Sequence, residues 1–333
     1  MNDSENIPPG QRDLERSPLE GSDPSAAPGD MSAPVFADEA ATTDAVSVHD
    51  PNAYPPSWFP SQPPPSPEQL AKQARLSRIP PDLRVPWGWT DLGVFLLVFI
   101  GSIVFFGTLA LLATAAIQHV DMSTVLKSPS VLYINLSLVA QAIAFIVVLF
   151  YFLVLVRLRR AGDFWPALGW RPLNGTRTNL AAAIRVLLGG VALAILSSVV
   201  GLFLKQPTAT PIEEFFKARQ TVLMLMAFGI LVAPLVEETI FRGFIYPVVA
   251  RQFGVVPGIL LTGILFGGSH AMQLGGAVGQ VAIIMGVGIV LTWVRARTGS
   301  VLAGFLMHVA YNSTLFAATY FSTHGFRDFP VGK

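Results

Sequence analysis

The sequence predicts an all-α fold, a polytopic transmembrane helical bundle of about seven spans, preceded by a disordered, proline-rich N-terminal arm. Of the 333 residues, 52% are hydrophobic and only 13% are charged, and the mean hydropathy is +0.55. Soluble domains carry about 25% charged residues. The bilayer is therefore the solvent for most of this chain.

The first 86 residues differ from the rest in composition. They contain 17 of the 26 prolines, and residues 1–66 hold eleven Asp or Glu against two Arg. The stretch YPPSWFPSQPPPSP has polyproline character and too few apolar residues to form a core. We predict a disordered, acidic cytoplasmic arm over residues 1–86 and a transmembrane domain over 87–333. The arm lacks an apolar leader segment, so the first hydrophobic helix is expected to act as the insertion signal.

Seven apolar stretches approach the roughly 20 residues that a helix needs to cross about 30 Å of hydrocarbon. They lie at about 92–117, 131–156, 180–204, 221–245, 255–271, 276–294 and 301–321. If the arm lies inside the cell, the inner side of residues 67–333 carries twelve Lys or Arg and the outer side six. This excess predicts a multi-pass protein of the plasma membrane with a cytoplasmic N-terminus.

The absence of cysteine excludes disulfides, thiol nucleophiles and cysteine-bound metals. The expected partners are membrane lipids and a membrane-associated peptide or protein, and no nucleic acid. Within the last four spans, a few polar residues are hard to explain as lipid-facing. They are Glu237, Glu238, Arg242, His270, His308 and Asn312. Each charged side chain near the bilayer centre costs about 2.5–3.5 kcal/mol on insertion scales, so such residues usually mark a functional site.

The spacing of the charged residues separates two roles. Glu238 and Arg242 are four residues apart on one helix face, so the cation can neutralise that carboxylate. Glu237 is then left without a cation, as a general base or proton shuttle requires. Pro234 lacks the amide that would bond the carbonyl of Ile230, so we expect a kink that opens space beside Glu237.

Two further pairs repeat the spacing of four residues. His308 and Asn312 can reach one point from one helix, and Phe266 can place an aromatic wall one turn from His270. The chain from Glu237 to the predicted turn near residues 253–255 is about as long as the chain from that turn to His270. We therefore expect these two side chains to lie at one level of the membrane. The glycines of FGGSH are expected to allow close helix packing.

Three motifs, EExxxR, FxxxH and HxxxN, occur in this order on successive predicted helices. In this respect the chain resembles the CPBP intramembrane proteases, the family of the type II CAAX prenyl protease and of bacterial Abi proteins. The resemblance covers about residues 220–320, and the stretch ALGWRP before the third span is similar as well. It implies an intramembrane endopeptidase that hydrolyses membrane-associated or lipidated peptides.

The resemblance also implies a role for each motif residue. Glu237, assisted by His270, would activate a water molecule that attacks the scissile carbonyl. His308 and Asn312 would stabilise the oxyanion. The supporting residues would be Glu238, Arg242 and Phe266.

Alternatives to this mechanism stay open at the level of sequence. Zinc bound by Glu237, His270 and His308 is one of them, although a metal-free glutamate mechanism is preferred. The chain lacks HExxH, GxGD and GxSG, the motifs of other intramembrane proteases. Buried glutamate and histidine also occur in proton-coupled transporters. A transporter or a non-catalytic membrane scaffold is therefore the alternative function.

Overall fold

The computed structural model is entirely helical in the part of the chain that it describes, which comprises residues 64–77, 79–173, 179–204 and 218–326. This part belongs to one compact unit, Pro64–Lys333. In chain order the helices are α1 (Pro67–Ser77), a 3₁₀ helix (Pro81–Leu83), α2 (Trp89–Gln118), α3 (Met122–Lys127), α4 (Val131–Leu158), α5 (Phe164–Ala167), α6 (Leu180–Leu202), α7 (Arg219–Ala227), the π-helix π1 (Phe228–Val232), α8 (Ala233–Glu238), the π-helix π2 (Thr239–Ile245), α9 (Tyr246–Phe253), α10 (Val255–Ser269), α11 (Val278–Thr298) and α12 (Val301–Ser322). The predicted all-α class is confirmed.

Six helical stretches within the described residues are long and apolar enough to cross a membrane. They are Trp89–Gln118, Val131–Leu158, Leu180–Leu202, Arg219–Phe253, Val278–Thr298 and Val301–Ser322. The fifth predicted span is instead the short apolar helix Val255–Ser269, whose 15 residues rise only about 22 Å. The chain is thus an integral membrane protein with six candidate spans and one shorter apolar helix.

Aromatic rings hold the first two spans against the long Arg219–Phe253 stretch. Phe95 of α2 stacks on Phe152 of α4, with 5.4 Å between the ring centroids, and meets Phe244 of π2 edge-on at the same separation. All three rings are buried. Aromatic pairs add about 0.5–1.5 kcal/mol to the free energy of burial, so this cluster fixes α2 and α4 beside the helix that carries the two glutamates.

The helix that carries the glutamates is interrupted by two π segments. In π1 the backbone N–H of Ala233 donates to the carbonyl of Phe228, five residues earlier. The next bond in that register would run to Gly229 from Pro234, which has no N–H. Pro234 therefore leaves the carbonyl of Gly229 without a backbone donor. The sequence predicted this for the carbonyl of Ile230, because it assumed a regular α-helix.

The segment before the first span packs against the bundle. Leu83 is buried, Asp82 forms an ion pair with Arg295 at 2.7 Å, and Arg251 donates to the carbonyls of Val85 and Trp87 at 2.6 and 2.7 Å. Residues 82–86 therefore differ from the predicted disordered arm, because two arginines at the ends of α9 and α11 take acceptors from this stretch. Residues 67–77 form helix α1, whose described side chains are exposed. The rest of the predicted arm, residues 1–63, lies outside the described residues.

Helices α10 and α11 approach each other at glycines. A Cβ atom added at Gly263 would lie 2.8 Å from Cα of Ile289, and one added at Gly267 would lie 2.7 Å from Cα of Met285. Two successive turns of α10 therefore contact the backbone of α11 in the same way, each through a glycine. Gly268, the second glycine of FGGSH, has open space at its Cβ position, so the expected packing role belongs to Gly267 alone.

We expect Gly267→Ala to destabilise the fold and Gly268→Ala to leave it nearly unchanged. The new methyl group at Gly267 would overlap the backbone of Met285, and overpacking of this kind costs about 1–3 kcal/mol. Thermal unfolding in detergent, followed by circular dichroism, measures both variants. Equal midpoints for the two variants would contradict the close approach of α10 and α11.

Candidate active site

The structure brings Glu237, His270 and His308 to one point inside the bundle. Glu237 lies on α8, His270 directly follows α10, and His308 lies on α12. The Nε2 atom of His270 is 3.8 Å from Oε1 of Glu237, and Nε2 of His308 is 3.9 Å from Oε2 of the same carboxylate. Each imidazole thus faces one carboxylate oxygen. Both separations exceed a direct hydrogen bond, so a water molecule can contact a nitrogen and an oxygen together.

The second nitrogen of each imidazole is already engaged. Nδ1 of His270 lies 2.8 Å from the carbonyl oxygen of Phe266, an acceptor only, so this nitrogen carries the hydrogen. Nδ1 of His308 lies 3.1 Å from Oε1 of Glu238 and donates to that carboxylate. Nε2 of both rings is therefore directed to the space beside Glu237. There it accepts a hydrogen bond when the ring is neutral and donates one when the ring is an imidazolium.

A fully buried ion pair orients His308. Nη1 of Arg242 donates to Oε1 of Glu238 at 2.9 Å, and neither side chain is exposed. The same guanidinium donates from Nη2 to the carbonyl of Gly288 at 2.9 Å and from Nε to the hydroxyl of Thr292 at 3.2 Å. The pairing is the one that the i,i+4 spacing predicts. Because Glu238 also accepts from His308, the ion pair determines which nitrogen of that histidine faces Glu237.

The ring of Phe266 contacts three members of this cluster. Its centroid lies 4.9 Å from that of His270 and 5.7 Å from that of His308. The guanidinium carbon of Arg242 lies 4.4 Å from the same centroid, which is close enough for a cation–π contact. Phe266 is thus the aromatic wall that the FxxxH spacing predicts, and it separates the ion pair from the adjoining cavity.

Asn312 reaches the site through the backbone that Pro234 disturbs. Its Nδ2 atom donates to the carbonyl of Gly229 at 2.7 Å, the carbonyl left without a backbone donor by π1. An amide nitrogen carries two hydrogens, so one N–H of Asn312 is used in this bond, and the other has no partner among the residues that the structure describes. Asn312 and Glu237 both line the cavity described below.

The sequence reasoning missed two supports of the ion pair. Thr292 accepts from Arg242, as described above, and Gly304 lies against Glu238. A Cβ atom at Gly304 would collide with Oε2 of that carboxylate. Gly304 lies four residues before His308, so a small residue one turn from the HxxxN motif was the available signal.

A third support comes from the ALGWRP stretch. Nε1 of Trp170 donates to the hydroxyl of Thr239 at 3.1 Å, next to the two glutamates. A Cβ atom at Gly243 would lie 2.6 Å from the carbonyl oxygen of Leu168. The connector before the third span therefore packs directly on π2, and Trp170 has a structural partner there.

The residues as arranged do not fit a zinc ion. One carboxylate and two imidazoles form a donor set that zinc accepts. Donors at 2.0–2.1 Å from a tetrahedral zinc ion lie about 3.3 Å apart, whereas the two separations from Glu237 are 3.8 and 3.9 Å. Within residues 64–326, leaving aside those not described, no group of three or more His, Asp or Glu side chains has an arrangement that could hold a metal ion.

A cavity of about 610 Å³ adjoins Glu237 and the two histidines. Its lining reaches Thr319 on α12, which the rise of a helix places about 16 Å beyond His308. It also includes Met272, which is 89% exposed in the loop after α10. The mouth therefore lies at the end of the bundle opposite the turn at Gly254. Towards that turn the site is closed, because residues 238–250 are all buried.

Comparison with known proteins agrees with the motifs. Residues 219–314 match the family model described as type II CAAX prenyl endopeptidase Rce1-like. This match includes all six polar site residues and Phe266, and it confirms the predicted resemblance to the CPBP proteases. It supports a CAAX-type intramembrane protease family for the prenyl-endopeptidase-like segment 219–314. No curated protein and no solved structure matches the chain. The first three spans lie outside the matched segment.

We expect Glu238→Gln and Arg242→Gln each to lower stability, and the double variant to lose less than the sum. Removing one partner of a buried ion pair leaves an uncompensated charge and costs about 3–5 kcal/mol, whereas removing both leaves none. Unfolding in detergent by a denaturing surfactant measures the three variants. Strictly additive losses would contradict the coupling. Glu237→Gln is the matched control, because that carboxylate has no Lys or Arg within ion-pair distance among the described residues, and it should unfold like the wild type.

Proposed function

We propose that this protein is an intramembrane endopeptidase that hydrolyses membrane-associated or lipidated peptides. The observation that carries the proposal is the position of Glu237, whose two carboxylate oxygens each face an imidazole Nε2 atom at 3.8 and 3.9 Å beside a largely apolar cavity. A carboxylate in such a place can activate water for attack on a carbonyl. The match of segment 219–314 to the prenyl endopeptidase family supports the same class of reaction.

Glu237 and His270 act on the water molecule. The water lies in the gap between them, donates one hydrogen to the carboxylate of Glu237 and the other to the neutral Nε2 of His270. As its oxygen bonds to the scissile carbon, Glu237 takes the proton as general base. His270 keeps its orientation because Nδ1 donates to the carbonyl of Phe266. This arrangement holds the attacking oxygen in one direction, which lowers the entropy lost in reaching the transition state.

His308 and Asn312 stabilise the oxygen that becomes negative. This role requires the imidazolium form of His308, in which Nδ1 donates to Glu238 and Nε2 carries the second hydrogen. Asn312 contributes the N–H that Gly229 does not use. With Glu237 and Glu238 ionised and Arg242 charged, an imidazolium at His308 brings the net charge of the cluster to zero, which suits a site within a bilayer.

Collapse of the tetrahedral intermediate completes the reaction. The carbonyl re-forms, the C–N bond breaks, and the proton held by Glu237 passes to the leaving nitrogen. The products are a free carboxyl group and a free amine, and Glu237 returns to its ionised state. One carboxylate thus serves first as base and then as acid, and all atoms and charges balance with water as the only co-reactant.

The membrane setting completes the proposal. The partners are membrane lipids and a membrane-associated peptide or protein substrate, and the location is the plasma membrane with a cytoplasmic N-terminus. The turns at Gly254 and Gly299 then lie on the cytoplasmic side, where basic residues predominate. The cavity mouth near Met272 lies on the other side, so a substrate reaches Glu237 from the outer half of the bilayer.

We expect Glu237→Gln to abolish cleavage while leaving the fold intact. Loss of a general base reduces the rate by about 10²- to 10⁴-fold, and the amide has nearly the same size as the carboxylate. The assay is cleavage of a library of membrane-associated peptides by purified protein in detergent, with and without a metal chelator. Cleavage that is lost in the variant and kept in chelator agrees with the mechanism. Loss in chelator points to a metal site, and no cleavage by folded wild type favours a transporter or scaffold.

We expect Asn312→Ala to lower kcat by about 10²- to 10³-fold, as loss of one oxyanion donor does, with little change in KM. The substitution also leaves the carbonyl of Gly229 without a donor. The double variant Pro234→Ala/Asn312→Ala separates these effects, because an alanine at 234 supplies a backbone N–H to that carbonyl. Steady-state kinetics and thermal midpoints should show recovered stability with low activity. Recovered activity would contradict a direct role for Asn312.

A further inference from the structure

Gln141 is an amide on the inward face of α4, within a stripe of apolar residues. The stripe consists of Ile134, Leu138, Phe145, Val148 and Phe152, all of them buried. Their separations of three and four residues place position 141 on the same face of the helix. Gln141 therefore faces the interior of the bundle at a position where the helical period calls for an apolar side chain.

Gln141 makes no hydrogen bond or ion pair with any part of the chain that the structure describes. Three other polar side chains on the same helix are engaged. Those of Asn135, Ser137 and Tyr151 each form a hydrogen bond. An amide inside a membrane bundle costs free energy when its donor and acceptor are unpaired. Gln141 therefore has a hydrogen-bonding capacity that the described residues do not use.

The side chain of Gln141 lines the cavity that contains Glu237. Apart from the proposed catalytic residues, the other polar side chains of this lining are engaged or peripheral. The hydroxyl of Thr319 donates to its own helix at 2.9 Å, Tyr311 is buried with its hydroxyl near Ser197, and Gln273 is exposed in the loop near the mouth. Among the described residues that line this cavity away from its mouth, Gln141 thus has a polar side chain that is free to bind a ligand.

We propose that Gln141 binds the main chain of the peptide substrate, an inference that rests on the proposed endopeptidase activity. Its side chain offers one acceptor oxygen and one NH₂ donor, the complement of a main-chain N–H and C=O. An extended peptide that enters an apolar cavity loses water from these groups and needs such a partner. The neighbouring apolar wall, which includes Leu138, Phe228 and Leu315, accommodates the side chains.

This assignment defines the class of substrate. A main-chain contact on α4, opposite the catalytic helices, selects for a segment that is extended rather than helical where it passes Gln141, since a helix has already paired its own N–H and C=O groups. The side chains beside that point are apolar. Because α4 precedes segment 219–314, the contact comes from the part of the bundle outside the family match.

The test compares Gln141→Met with the wild type, using any peptide that the wild type cleaves. Binding is measured in the Glu237→Gln background, with the same peptide and with a series in which each amide is replaced in turn by an ester, which removes one N–H donor. We expect the Gln141→Met variant to bind the parent peptide about two- to tenfold more weakly, as loss of one neutral hydrogen bond does. The ester at the amide that contacts Gln141 should weaken binding to the Glu237→Gln protein. The same ester should have no further effect on the protein that also carries Gln141→Met.

Two controls make the outcome decisive. Gln118→Met, the same change at an exposed position of α2 away from the cavity, should bind every peptide like the wild type. The thermal midpoint of Gln141→Met should equal or exceed that of the wild type, whereas a structural role would lower it. Unchanged binding, or ester effects of equal size with and without Gln141, would overturn this inference alone. Absence of any cleavage by folded wild type would overturn the proposed function and this inference with it.

Discussion

The buried ion pair between Glu238 and Arg242 is the constraint on which the rest of the site depends. Neither side chain is exposed, and water cannot solvate either charge. Every polar atom brought near them must therefore complement them, and Thr292, the carbonyl of Gly288 and Nδ1 of His308 do so. Glu237, the adjacent glutamate without a cation, then faces the cavity. A charge pair that costs free energy to bury thus orients the proposed oxyanion-binding histidine.

Departures from regular helix contribute as much to the site as the charges do. The π register of residues 228–232, with Pro234 two residues further on, leaves one carbonyl without a backbone donor, and Asn312 satisfies it across the bundle. The same bond holds the asparagine in the lining of the cavity that Glu237 also lines. Proline in a membrane helix is tolerated where a neighbouring helix satisfies the released carbonyl, and here that neighbour is the helix that carries His308.

Much of the fold and of the site could be predicted from the sequence, because lipid imposes simple rules. Apolar stretches predicted the six candidate spans, and the shorter α10 was overestimated since hydropathy does not show where the loop after Ser269 begins. Spacings of four residues predicted the ion pair and the aromatic wall. Gly304, Thr292 and Trp170 were missed, because their contacts join residues far apart in the chain. Residues 82–86 looked disordered by composition, yet Arg251 and Arg295 bind them to the bundle.

The sequence by itself determined that the chain is a helical membrane bundle and which polar residues stand out within its apolar spans, since burying charge in lipid is costly enough to single those residues out. Only the tertiary structure decided how they act together. It set the distances from each imidazole to Glu237, the nitrogen that each histidine presents, the released carbonyl at Gly229 and the end of the bundle where the cavity opens. These depend on the packing of helices against one another, and periodicity within one helix carries no information about its partners.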